Sequence, residues 1–112
     1  MPKRDRIRLD AAERAADQVN ALIDQSPRGR LLHVSQLRAS VQSIAANISE
    51  GLGRRPGRDR ERSFEIARGE TEETIAHLSA NFRTDRIGKR DYWPIHNRLV
   101  VIGKMVDAFL RH

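Results

Sequence analysis

The residues best suited to chemistry lie in one stretch near the middle of the chain, SIAANISEGLGRR at positions 43–55. Its Glu50, together with Glu73 further along, has the composition of a carboxylate pair for general acid–base catalysis. Its serines, Ser43 and Ser49, lack the Gly-x-Ser-x-Gly elbow that presents a catalytic nucleophile. A carboxylate in a polar helix seam is more often a structural hydrogen-bonding group, so we interpret these residues as structural rather than catalytic.

A metal site is the second kind of chemistry to consider. Glu73 and His77 stand four residues apart, a spacing that puts both side chains on one helical face. A di-metal carboxylate bundle needs Glu-x-x-His on two helices, and His96 has no glutamate three positions before it. The chain has no cysteine, which excludes disulfides and thiolate ligands. We therefore predict no metal site, no cofactor and no enzymatic activity.

The elements that must position these residues are helices, because the apolar residues recur with helical periodicity and no alternating strand pattern occurs. We predict a short basic arm at residues 1–9 and one domain at residues 10–112, with helices at about 10–25, 30–53, 58–83 and 91–111. Asp10 with Glu13 resembles a capping box at the start of the first helix. Four helices joined by short loops are typical of an antiparallel up-down-up-down four-helix bundle.

Each predicted helix has an apolar stripe at three- and four-residue steps, which is typical of bundle helices. Tyr92 and Trp93, at the start of the fourth helix, are interpreted as a hydrophobic lid, with a protein contact as the alternative. The predicted core residues are Ala12, Ala16, Val19, Leu22, Ile23, Val34, Leu37, Val41, Ile44, Ile48, Phe64, Ala67, Thr71, Ile75, Leu78, Phe82, Ile95, Leu99, Ile102, Val106 and Phe109.

Rows of small and polar residues accompany two of these stripes. On the second helix they recur at four-residue steps beside the stripe, and a similar row follows on the third helix. Two such rows permit close approach of the helix backbones, and any semi-buried polar group there must find a hydrogen-bond partner. A second face without solvating charges also favours self-association. The predicted structural helix seam consists of Ser43, Asn47, Glu50, Gly51, Gly69 and Glu73.

The charge balance favours a polyanionic partner. Lys and Arg number 21 against 15 Asp and Glu, which gives a formal net charge of +6. An up-down-up-down bundle brings the basic arm, the second loop and the C-terminus to one end, where phosphate contacts would be strongly salt-dependent. No aromatic residues interleave with these cations, so we expect contact with the RNA or DNA backbone, with a solvated, self-paired loop as the alternative. The predicted nucleic-acid-binding residues are Arg54, Arg55, Arg58, Arg60, Arg62, Lys3, Arg4, Arg6 and Arg8.

The sequence has no apolar run of the roughly 20 residues that a membrane-spanning helix needs. Its N-terminus is charged and no apolar segment of a signal peptide follows it. We therefore expect a soluble, cytoplasmic protein with no membrane partner.

The same central residues resemble the signature of a known family. Most of the motif is present in order, with departures at Ala45, where proline is usual, at Pro56, Ser63 and Glu70. On this basis the chain resembles the four-helix-bundle family encoded within intervening sequences of bacterial 23S ribosomal RNA genes. The matching segments are Gln36-Leu37-Arg38, Ser43-Ile44, Ala46-Asn47-Ile48, Glu50-Gly51, Gly53-Arg54, Ile66-Ala67 and Gly69.

The resemblance implies a fold and a mode of assembly. Members of the family are similar in fold to the accessory variability determinant (Avd) of diversity-generating retroelements, a basic, barrel-like homopentamer that binds nucleic acid and a reverse transcriptase. It therefore implies a ring-like homo-oligomer, a pentamer, that binds nucleic acid without being an enzyme. The alternative is an interaction scaffold or an accessory subunit for an enzyme such as a reverse transcriptase, with no direct contact to nucleic acid.

Overall fold

Four α-helices make up most of residues 1–111, the part of the chain that the computed structural model describes. They are α1 (Lys3–Gln25), α2 (Val34–Gly53), α3 (Arg58–Arg83) and α4 (Lys89–Leu110), and no strand occurs among the described residues. The prediction of an all-α fold with four helices is confirmed. The end of α2 and both ends of α3 lie where the sequence predicts them. The predicted fourth helix is displaced slightly, and residue 112 of the predicted domain lies outside the described residues.

The start of α1 differs from the prediction. The helix begins at Lys3 rather than at Asp10, so most of the predicted basic arm is its first two turns. Pro2 has a fixed φ suited to the residue before a helix, and its carbonyl accepts hydrogen bonds from the amides of Asp5 and Arg6, both at 3.1 Å. Leu9 is buried and extends the apolar stripe toward the N-terminus. Asp10 therefore lies inside the helix and caps nothing.

The start of α2 also differs, because the chain leaves helical geometry twice before it. Gly29 has φ of +81° and His33 has φ of +58°, both in the left-handed region. Helix α2 consequently begins at Val34 instead of residue 30. Leu31 in the intervening loop is buried and packs with the core.

The helices pack in a closed cycle in which α2 contacts α1 and α3, and α4 contacts α3 and α1. Two aromatic stacks join α3 to α4, with ring centroids of Phe64 and Phe109 4.4 Å apart and those of Phe82 and Tyr92 4.1 Å apart. Each stack pairs the beginning of one helix with the end of the other. None of the four described helices combines the length and hydropathy that a membrane span requires.

Candidate nucleic-acid interface

The predicted binding residues of α1 and α3 meet at one end of the bundle, around an aromatic pair. The guanidinium of Arg8 lies 4.7 Å from the ring centroid of Phe109, and that of Arg60 lies 5.5 Å from the centroid of Phe64. Because Phe64 and Phe109 stack on each other, the two arginines flank one stacked unit. We call this end, with residues 53–62 and the first turns of α1, the basic end.

Most of the predicted cations at the basic end face solvent. Arg55, Arg58 and Arg62 are exposed, and within residues 1–111 none of them forms an ion pair. Lys3, Arg4 and Arg6 in the first turn of α1 are exposed in the same way. An exposed cation without an internal partner keeps its hydration and its freedom to bind an external anion. These six residues are therefore available to a polyanion.

Arg54 and Arg8 are engaged by the protein itself. Arg54 Nη2 lies 2.6 Å from Glu50 Oε1, and its Nη1 lies 3.9 Å from Asp59 Oδ2. The hydrogen bond and the charge of Glu50 raise the pKa of Arg54. Arg8 forms an ion pair with Asp5 at 3.4 Å. A phosphate at either arginine has to compete with a carboxylate, so these two predicted residues are weaker candidates than their neighbours.

The connection between α2 and α3 shapes the surface at which these cations stand. Residues 53–59 line a concavity of about 530 Å³, which carries the side chains of Arg54, Arg55 and Arg58. A second cleft of about 490 Å³ lies beside it, between Arg60 and the Phe64–Phe109 stack. Gly57 has φ of +149°, a backbone conformation that residues with a side chain rarely adopt. Glycine at this position therefore permits the sharp turn between the helices.

The opposite end of the bundle uses its arginines differently. Arg30 Nη2 donates to the Asp85 carbonyl at 2.9 Å, and Arg86 Nη1 donates to the Arg30 carbonyl at 3.0 Å. These bonds tie the α1–α2 loop to the α3–α4 loop. Asn81, which is 1% exposed, adds bonds to the amide and carbonyl of Leu32, at 2.7 and 3.1 Å. We call this set the loop clasp.

Within the predicted helix seam, Gly51 is buried against α3. A Cβ built on Gly51 would lie 2.7 Å from Phe64 Cε1, so α2 approaches α3 more closely than a side chain would allow. Other polar contacts of this seam were missed by sequence reasoning. The hydroxyl of Thr74 donates to the hydroxyl of Ser40 at 2.7 Å, and both residues are buried. The signal that would have found them is helical spacing: Thr74 is in register with Ala67 and Leu78 on the stripe of α3, and Ser40 with Leu37 and Ile44 on the stripe of α2.

The prediction of close helix approach at Gly69 is wrong, because no atom lies within 4 Å of a Cβ placed there. Gly69 and Glu73 are exposed and lie on the outer side of α3, rotated away from the buried stripe. Asn47 is half-buried and donates to the Ser43 carbonyl and hydroxyl, at 2.9 and 3.0 Å, within its own helix. Glu50 pairs with Arg54, so these residues form an outer surface of α2 and α3.

The remaining candidate residues for chemistry are dispersed. Glu73 Oε1 lies 3.4 Å from His77 Nε2, and within residues 1–111 no group of three or more His, Asp or Glu side chains is arranged to hold a metal ion. Tyr92 is buried and stacks on Phe82, whereas Trp93 is 44% exposed beside it. The predicted lid is therefore half core and half surface.

Comparison with known proteins identifies the family. The profile of the 23S rRNA-intervening sequence proteins matches residues 5–108. A crystal structure of a protein of unknown function from Bacteroides thetaiotaomicron, assigned to the S23 ribosomal protein family, superposes with a TM-score of 0.87 at 24% identity and covers 96% of this chain and 98% of that one. At this identity the likeness shows a shared fold. A search of curated protein sequences found no significant match.

Proposed function

The chain belongs to the family of 23S rRNA-intervening sequence proteins, and from that premise we propose that it binds the backbone of RNA or DNA through its basic end. The supporting observation is the group of six exposed cations that form no ion pair within residues 1–111, gathered from two segments that are distant in sequence. The binding is non-enzymatic and takes place in the cytoplasm. Its contacts go to phosphates, which position nucleic acid without reading sequence.

The proposed assembly is a ring of antiparallel up-down-up-down bundles, a pentamer by resemblance to Avd. The pairing of helix beginnings with helix ends in both aromatic stacks supports the antiparallel order. A ring of parallel copies multiplies the basic end on one side. Each additional phosphate contact then adds to the counterion release that drives binding.

Fluorescence anisotropy with labelled duplex DNA, single-stranded DNA and structured RNA tests the proposal. We expect affinity in roughly the micromolar range at low salt with little sequence preference, and a log-log salt slope near −0.9 per phosphate neutralised on duplex DNA. The variant R55E/R58E/R62E should bind every probe at least about tenfold more weakly, with a flatter slope. These three arginines are chosen because Arg54 is already paired with Glu50.

The matched control is R28E/R83E/R90E, which makes the same change in net charge at three exposed arginines near the opposite end. It should bind much more nearly like the parent, since it leaves the basic end intact. Circular dichroism checks that both variants keep their helix content. Absence of binding by the parent at low salt contradicts the proposal. An equal loss of affinity in both variants would show that binding depends on the net charge of the protein and not on the basic end.

The second candidate function is that of a protein-interaction scaffold or an accessory subunit for an enzyme such as a reverse transcriptase. The observation that favours it is apolar side chains on the outside of the bundle. Ile7, Trp93 and Val101 are 58%, 44% and 54% exposed. A parent protein that binds no probe but co-purifies with a defined enzyme partner would favour this function over nucleic-acid binding.

A further inference from the structure

Two outer faces of the bundle are complementary to each other. One is the α2/α3 face, made by Ser43, Asn47, Ile66, Gly69, Glu70 and Glu73. The other is the α1/α4 face, made by Ile7, Ala11, Arg14, Gln18, Arg98 and Val101. Because α2 packs on α3 and α1 packs on α4 in the closed cycle of helices, the two faces lie on opposite sides of the molecule.

We propose that the α2/α3 face of one copy binds the α1/α4 face of the next copy, with the bundles parallel. This pairing rests on the self-association proposed above and assigns it a specific pair of surfaces. A contact between two different faces is heterologous, so repetition closes a ring or extends a filament. It also keeps every basic end on the same side of the assembly.

Charge is the first reason for the pairing. Glu70 and Glu73 lie one turn apart on the α2/α3 face, and within the described residues Glu70 has no ion-pair partner. Burial, and then the charge of Glu73, raise the pKa of Glu70, which is the direction that an approaching cation would reverse. The α1/α4 face carries Arg14, exposed, and Arg98, whose Nε donates to a neutral glutamine on α1.

The heights of these charges along the bundle also agree. The ring stacks at the two ends of α3 and α4 fix the register of these helices, and place Glu70 and Glu73 level with residues 100–103 of α4. The hydrogen bond from Arg98 to α1 fixes α1 on α4, and places Arg14 at the same level. Two parallel copies side by side therefore bring the two acids opposite the two arginines.

Exposed apolar residues accompany the charges. Ile66 is 40% exposed on the α2/α3 face, and Ile7 and Val101 are 58% and 54% exposed on the α1/α4 face. Ile66 and Ile7 both lie nearer the basic end than the charged pairs. Asp10 also lies on this side of Arg14, where the α2/α3 face carries Arg62 together with Glu50 and Asp59, the two acids that pair with Arg54. Going away from the basic end, each face therefore presents an exposed isoleucine first and its charged pair second. The two charged pairs have opposite sign, so the order of features agrees when the copies are parallel.

Charge reversal and rescue test the pairing, with the oligomeric state measured by sedimentation velocity across a micromolar concentration series. The parent should assemble, and assembly of E70R/E73R and of R14E/R98E should each require roughly tenfold or more higher concentration, because like charges then meet. The combined variant E70R/E73R/R14E/R98E should recover the parent's assembly. Rescue distinguishes two different faces from an α2/α3 face that binds itself, which the combined variant would leave disrupted.

The control E13R/E65R makes the same net charge change as E70R/E73R at exposed glutamates outside both faces, and should assemble like the parent. Far-UV circular dichroism and thermal melting report folding, and R14E alone replaces the double variant if the loss of the Arg98–Gln18 bond unfolds it. A parent that stays a 12.8 kDa monomer overturns the pairing and the proposed self-association together. Assembly that ignores R14E/R98E, or that the combined variant does not recover, overturns only the pairing. Nucleic-acid affinity is measured separately and bears on neither outcome.

Discussion

The two ends of this bundle contain similar residues and use them in different ways. At the basic end, Arg55, Arg58 and Arg62 point away from the protein and have no ion pair within the described chain. In the loop clasp, Arg30 and Arg86 donate to backbone carbonyls and hold two loops together. An arginine-rich loop is therefore not in itself a binding surface. Whether its arginines remain free to bind a partner depends on whether the surrounding backbone offers them hydrogen-bond acceptors.

The largest effect on stability is expected in the loop clasp, from Asn81→Ala. Asn81 is buried and bonds the amide and carbonyl of Leu32 as well as the His77 carbonyl. Removing it leaves these groups without their partner, which should cost about 2–3 kcal/mol of unfolding free energy. Chemical denaturation measures it. The exposed Asn97→Ala is the control and should change stability by less than about 0.5 kcal/mol; equal effects would contradict the clasp.

A smaller loss is expected near the basic end from Gly51→Ala. The added Cβ would lie 2.7 Å from Phe64 and force the aromatic stack to move, which should cost about 1–2 kcal/mol. Gly69→Ala is the matched change on the neighbouring helix, where no atom lies within 4 Å. It should instead stabilise the protein by about 0.5–1 kcal/mol, because alanine favours helix. In thermal melts, a rise in the melting temperature of Gly51→Ala like that expected for Gly69→Ala would show that α2 and α3 are not in close contact at Gly51.

A direct comparison of the two ends comes from Arg30→Ala and Arg55→Ala. Arg30 donates to the carbonyls of Asp85 and Arg86, so its loss should cost about 1 kcal/mol. Arg55 has no such acceptor in the described chain, so its loss should change stability by less than about 0.5 kcal/mol but weaken binding to nucleic acid. Chemical denaturation of both variants measures the stability, and fluorescence anisotropy measures the affinity for nucleic acid. A loss of stability in Arg55→Ala together with a loss of affinity in Arg30→Ala would contradict the roles assigned to the two ends.

The smallest effect is expected from Glu70→Gln, and it depends on pH. Burial and Glu73 raise the pKa of Glu70 in the folded protein, so the folded state holds this proton more tightly than the unfolded state. Ionised Glu70 therefore costs stability above that folded pKa, and the cost disappears at about pH 3, where both states are protonated. Glu70→Gln should melt higher than the parent at pH 7, and the gain should vanish at about pH 3. Melts at low protein concentration keep self-association out of the comparison; a gain of equal size at both pH values would contradict an electrostatic cause.

Much of the core could be read from periodicity, because each helix buries one stripe. On α2, Leu37, Val41, Ile44 and Ile48 are fully buried as predicted. On α1 the stripe is alanine-rich and its phase is ambiguous, so Ala15 is buried where Ala16 was predicted. Small apolar residues distinguish the buried face poorly, since their burial contributes little free energy.

The sequence by itself determined the number of helices, the span of α3, most of the core and the family, because these depend on local periodicity and on a contiguous motif. The tertiary structure alone decided which polar groups are internal. Asn81 is internal because the α1–α2 loop passes its side chain, and Gly69 lies on the surface because α3 turns it away from the core. Hydrogen bonding depends on distances of about 3 Å between segments far apart in the chain. No local pattern specifies such distances, so which arginines remain free for a partner could only be learned from the fold.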